Sequence, residues 1–212
     1  TFPSPHNWRH IQAWLEGRNA QDQDADSLAA RVQDILCQVK DRGDDAVVEY
    51  TQRFDCPNFT ASWLQAPPDA LRKAAVSVPE SDLEIIREAA ENIRAYHKAQ
   101  VQHSWWDTGS EDGNGVVLGR LVRPVDRAGL YVPGGQGGET PLISSLLMNA
   151  IPAQVAGVEE LVLVSPPRKD GSLNPYLLAA AHVLGIEKVF CCGSAWAVAA
   201  LAFGTASIPS VD

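Results

Sequence analysis

Long apolar runs are missing from this chain of 212 residues. No stretch reaches the ~18 apolar residues that a spanning helix needs, so a membrane partner is not expected. Positive charge is scarce as well. Seventeen Lys and Arg stand against 26 Asp and Glu, giving a formal net charge of -9. No basic face is available to neutralise phosphates, which argues against nucleic acid as a partner. The four cysteines, Cys37, Cys56, Cys191 and Cys192, form no Cys-x-x-Cys pair and are too sparse for a disulfide framework. Reduced thiols are expected, with Cys191-Cys192 as packing residues at a strand end. Reduced thiols make the cytoplasm the expected compartment, and the opening Thr1-Phe-Pro-Ser-Pro lacks the charged-then-apolar pattern of an export signal. The histidines show no ligand spacing either. His6 and His10 are four apart, but Pro5 adjoins them and no third ligand is near in sequence. His97 and His103 flank a helix end, where the dipole favours a cation.

What is present is ordinary for a globular protein: 45% hydrophobic and 20% charged residues. The first half has helical periodicity. Leu28, Val32, Ile35, Leu36 and Val39 recur at three- and four-residue steps and share one face, and Gly43 ends that helix. Ala46, Val47, Tyr50 and Phe54 mark a second helix. Pro67-Pro68 breaks the chain and starts a short third one. Ser81 with Glu84 has the form of a capping box for a long helix from Asp82 to Gln102, with Leu83, Ile86, Ala90, Ile93 and His97 inward. Residues 107–115 make an exposed loop, and Val116–Val122 a strand leading into a second domain. Trp8, Trp14, Trp105 and Trp106 are expected to cover apolar surface or an interface.

The second half changes period. Apolar strand-like runs begin near Gly129, Leu161 and Lys188, roughly thirty residues apart, with helical stretches at Leu142–Ala156 and Asn174–Leu184 between them. That is the spacing of successive βαβ units and predicts a parallel sheet with right-handed crossovers. Asn174-Pro175 is a good helix start, and a small-residue helix, Ser194–Phe203, should pack closely on the sheet. The fold class is therefore α/β: a helical amino-terminal region, residues 1–115, then an incomplete Rossmann-like parallel sheet in residues 116–212.

The first of these strands, Gly129-Leu-Tyr-Val, runs into Pro133-Gly134-Gly135, followed by Gln136-Gly137-Gly138. Glycines there let a ligand approach bare backbone. The loop lacks Gly-x-Gly-x-x-Gly spacing, and the second strand ends in Ser165-Pro166-Pro167 rather than an acidic residue for a ribose. Tyr131 falls at the carboxyl end of its strand, where ligands of α/β sheets bind.

Several ordered motifs together resemble the histidinol dehydrogenase family over roughly residues 26–212. They are Val39-Lys-Asp-Arg-Gly-Asp-Asp-Ala46, Glu49-Tyr-Thr-Gln-Arg-Phe-Asp55, Ile93-Arg-Ala-Tyr-His-Lys-Ala-Gln100, Arg123-Pro-Val-Asp-Arg-Ala-Gly-Leu-Tyr131, Ala197-Val-Ala-Ala-Leu-Ala-Phe-Gly204 and Ile208-Pro-Ser-Val-Asp212. The resemblance implies zinc- and NAD-dependent oxidation of L-histidinol to L-histidine by a cytoplasmic homodimer. It places the zinc ligands and the Glu-His acid/base pair beyond residue 212, so no catalytic or metal residue is assigned here and the chain alone is expected to be inactive.

The resemblance places the nucleotide contacts at Tyr131, at the Pro133-Gly134-Gly135 turn and at the Trp196 position. There Gly193-Ser194-Ala195-Trp196-Ala197 matches a segment that is usually Gly-Gly-Ala-Gln-Ala. An indole offers one donor and a stacking face where glutamine offers a donor and an acceptor. Trp196 is therefore expected to pack inward or block the site, leaving NAD weakly held. A related zinc- and NAD-dependent dehydrogenase of another polar alcohol or diol, and a catalytically silent interaction unit, are the alternatives.

Overall fold

The computed structural model describes Trp8 and residues 25–108, 116–135 and 142–212. The glycines 137 and 138, His6, His10, Trp14 and most of the expected loop at 107–115 lie outside the described residues. Helices α1 (Ala25–Arg42) and α2 (Asp44–Phe54) meet at Gly43, as their periodicity requires. Val39, Ala46 and Val47 are fully buried, but Leu28 is 58% exposed. The apolar face of α1 is thus used only towards its carboxyl end, and its first turn extends past the layer it packs on.

Helix α3 (Pro68–Ser77) begins at the Pro67-Pro68 break. Helix α4 spans Glu80–Lys98, not Asp82–Gln102. Its cap is Pro79, in extended geometry and without a side-chain hydrogen bond, so the expected capping box does not form. Ser81 falls inside the first turn, where its hydroxyl reaches only Asp82 Oδ1. Glu80 and Asp82 in that turn offset the helix dipole instead. His97 and Lys98 supply positive charge to the last turn.

The parallel sheet forms as the strand spacing predicts. Strands β3 (Arg127–Tyr131), β4 (Glu160–Ser165) and β5 (Lys188–Cys191) pair in parallel in the order β3-β4-β5. Helices α5 (Ile143–Ala156) and α6 (Pro175–Val183) make the crossovers, and α7 (Ser194–Phe203) follows β5. Asn174 caps α6 through Tyr176 N, as expected of Asn-Pro. Leu161–Val164 of β4 are continuously apolar and buried because both faces of the sheet are covered.

The strand expected over Val116–Val122 shortens to β2 (Leu118–Arg120). It pairs antiparallel with β1 (Trp105–Asp107), apart from the main sheet. The helical region and the sheet share one buried cluster, running from Val39 and Leu83 to Leu163 and Ile208. Two backbone bonds join Leu64–Ala66 to the outer edge of β5: Ala66 N to Val189 O at 2.9 Å and Cys191 N to Leu64 O at 2.7 Å. Tyr176 on α6 donates its hydroxyl proton to Asp82 on α4 at 2.7 Å. The edge beyond β5 is thereby closed by the helical region.

Candidate functional site

The carboxyl edge of the sheet brings together the ends of β3, β4 and β5. Tyr131 closes β3 opposite Val164, and the next amide, Val132 N, still bonds Val164 O at 3.0 Å. The chain then leaves the sheet through Pro133-Gly134-Gly135. Gly135 has φ +64°, a conformation that strains any residue with a Cβ. Pro133 and Gly135 are exposed and Gly134 is half-buried, so main chain rather than side chain faces outward at this turn.

Two residues past β5, Gly193 passes so close to the β4 turn that an added Cβ would lie 2.7 Å from Pro166 Cβ. Only glycine lets the two turns pack side by side. Ser194, the first residue of α7, is exposed and has φ +52°. Among the described residues it is the one non-glycine with positive φ. Its amide donates to the Tyr131 hydroxyl at 3.3 Å, so the end of β3 and the start of α7 are bridged across the sheet edge. Sequence reading missed both features. The signal was Ser194 standing where the resembling segment has its second glycine.

Trp196 lies one turn into α7 and is 4% exposed. Its ring stacks on Tyr50 at 5.7 Å and on Phe54 at 5.4 Å, so the indole faces the helical layer. Its Nε1 is buried without a hydrogen-bond partner. The carboxyl edge therefore holds Tyr131, Pro133, Gly134 and Gly135 outermost, with Trp196 beneath.

Asp55 follows α2, and its charge helps push the Cys192 thiol up. One of its carboxyl oxygens is buried without a partner, and burial pushes its pKa up to about 6. Burial also pushes the Cys191 thiol up to about 12 and Cys192 higher still, which fits the packing role expected for the pair. At the opposite, amino edge of the sheet, Glu160 Oε1 meets Lys188 Nζ at 2.9 Å and Arg127 Nε at 2.5 Å. Lys188, and then Arg127, hold the Glu160 carboxyl below its usual range. These residues line a polar recess of about 580 Å³. It sits at the amino rather than the ligand-binding end of the strands, and the ion pairs tie the three strand starts together.

Bare backbone at the Gly134-Gly135 turn and the amino end of α7 fit the approach of a dinucleotide's phosphates. Zinc is a different case. Among the described residues no three His, Cys, Asp or Glu side chains converge in a way that could hold a metal ion. The described residues do not fit a zinc site.

A family model described as histidinol dehydrogenase matches residues 18–212. The histidinol dehydrogenase of Oleidesulfovibrio alaskensis is 55% identical over 212 residues, which is 100% of this chain and 48% of that protein. That of Nitratidesulfovibrio vulgaris is 54% identical over the same length, covering 47% of that protein. The crystal structure of histidinol dehydrogenase from Elizabethkingia anophelis superposes with a TM-score of 0.78 at 32% identity, over 87% of this chain and 41% of that one. The chain thus spans about half the length of the curated relatives it matches. With the family model covering nearly all of it and the α/β architecture shared, this chain belongs to the histidinol dehydrogenase family.

Proposed function

We propose that this chain is the nucleotide-binding part of a cytoplasmic, homodimeric histidinol dehydrogenase that oxidises L-histidinol to L-histidine with NAD and zinc. The observation that carries the reading is 55% identity to a histidinol dehydrogenase along the whole chain. NAD, when bound, would supply the hydride acceptor and zinc a Lewis acid, the latter held by residues other than the described ones. Residues 116–212 act as the nucleotide-binding unit, and residues 1–115 support it. The Pro133-Gly134-Gly135 backbone lies along the nucleotide phosphates. The Tyr131 ring, steadied by the Ser194 amide, borders the nucleotide. Trp196 acts from beneath, fixing the start of α7 against α2 rather than bonding the cofactor. The residues that bind zinc and move protons lie beyond residue 212, so the 212-residue chain alone turns over no L-histidinol.

Calorimetric titration with NAD tests the binding half of this reading. Gly135→Val should weaken binding at least tenfold, because it strains the turn and fills the phosphate approach. Unchanged affinity in Gly135→Val and in Tyr131→Phe would overturn the site. NADH formed from L-histidinol and zinc by the pure chain would overturn the inactivity. A second reading, a dehydrogenase of another polar alcohol or diol, draws on Trp196 standing where the family carries glutamine. Assay of a full-length protein against L-histidinol and simple diols separates the two.

A further inference from the structure

The β1–β2 ribbon leaves apolar side chains uncovered on both of its faces. Trp105 and Trp106 are 55% and 62% exposed, and Val117 and Leu118 are 62% and 61% exposed. Successive residues of a strand point to opposite faces, so the adjacent Trp105 and Trp106 put an apolar ring on each face of the ribbon. A ribbon lying on its own protein would alternate apolar with polar residues. The two strands nonetheless pack closely on each other. Trp106 lies over Gly119, its cross-strand partner, where a Cβ would collide with the indole. Ser104 Oγ closes the base by accepting from Val122 N at 2.9 Å. Two strands of three residues have little stability of their own, so this shape implies a partner that encloses it.

We propose that the ribbon is an arm enclosed by the carboxyl-terminal half that the longer histidinol dehydrogenases carry after the position of Asp212. Three observations select this occupant. The curated relatives are about twice as long as this chain, so the needed length of polypeptide exists in them. Asp212 is fixed at the root of the ribbon: its carboxylate accepts from the amides of Asp126 and Arg127 at 3.0 and 2.9 Å. Asp126, to which Asp212 is bonded, is four residues, or ~13 Å at full extension, from Val122 at the ribbon's closed base. Finally, each strand is only ~10 Å long, so the ribbon alone offers too little surface for the ~800 Å² per partner typical of stable free association. A covalently continuous partner needs less area, because tethering supplies an effective concentration in the ~mM range. The inference rests on packing and is independent of nucleotide binding.

The test co-expresses this chain with the tagged carboxyl-terminal half of the Oleidesulfovibrio alaskensis relative, as separate polypeptides. The wild-type chain should be recovered with the tagged half. Recovery of the double variant Trp106→Ser/Leu118→Ser should fall at least tenfold, while its urea midpoint as an isolated chain stays unchanged, since both side chains are exposed there. Equal recovery of the two forms, or no recovery of the wild type, would overturn the proposal. So would a concentration-dependent dimer of the isolated chain that the double variant abolishes, because the face would then belong to a second copy.

Discussion

The indole of Trp196 lies 5.4 Å from the ring of Phe54 with the planes 20° apart, and Tyr50 stacks on the same indole at 5.7 Å. The stack couples the start of α7, at the sheet's carboxyl edge, to α2. Trp196→Gln removes it. The expected cost is about 2–4 kcal/mol, from the lost aromatic burial and the space left behind. The same change supplies an amide that can donate to and accept from a nucleotide. NAD binding should therefore tighten by a few-fold although the fold weakens. Urea unfolding and calorimetry on one preparation check both. Tighter NAD binding by the tryptophan form would mean that the indole reaches the nucleotide.

Ser194 has φ +52°, which costs an L-residue ~1–2 kcal/mol relative to glycine's freedom there. Glycine also gains entropy when unfolded, which returns part of that amount. Ser194→Gly should stabilise the chain by ~0.5–1 kcal/mol with an unchanged urea m-value. A lower midpoint would show that the serine side chain contributes an interaction worth more than the backbone strain.

The legible parts of the chain were those governed by local chemistry. Strand spacing set β3, β4 and β5, and Asn174-Pro175 set the start of α6. Periodicity placed Val39, Leu83 and Ile86 in the core. The start of α4 was misread because Ser81 and Glu84 satisfy a pattern that Pro79 pre-empts two residues earlier. Leu28 carries the right period, yet nothing in periodicity says how far along a helix its neighbour extends. The Leu64–Ala66 edge on β5 and the Tyr131–Ser194 bond join residues far apart in sequence, which no local pattern encodes. Indole chemistry points Trp196 inward, but in the sequence its partners Tyr50 and Phe54 mark only one face of a helix.

Asp55 gives the chain a particular pH dependence. Burial raises its carboxyl to about 6, whereas an unfolded aspartate titrates near ~3.9, so the native state holds the proton more tightly. The stability tied to that proton is complete below pH ~4 and is lost as pH rises through about 6. Asp55→Asn, a neutral group of the same shape, should retain that stability at neutral pH. Urea midpoints from pH 4.5 to 7.5 should fall more steeply for wild type than for the variant. Parallel profiles would mean that the carboxyl is solvated in both states.

Hydrogen exchange with and without NAD tests the central claim most directly: that the carboxyl edge of this sheet is the nucleotide site. Saturating NAD should slow amide exchange at residues 129–135 and 193–197, and leave the amino-edge residues Arg127, Glu160 and Lys188 unchanged. Protection confined to the amino edge, or none at NAD concentrations that saturate a full-length relative, would contradict the account.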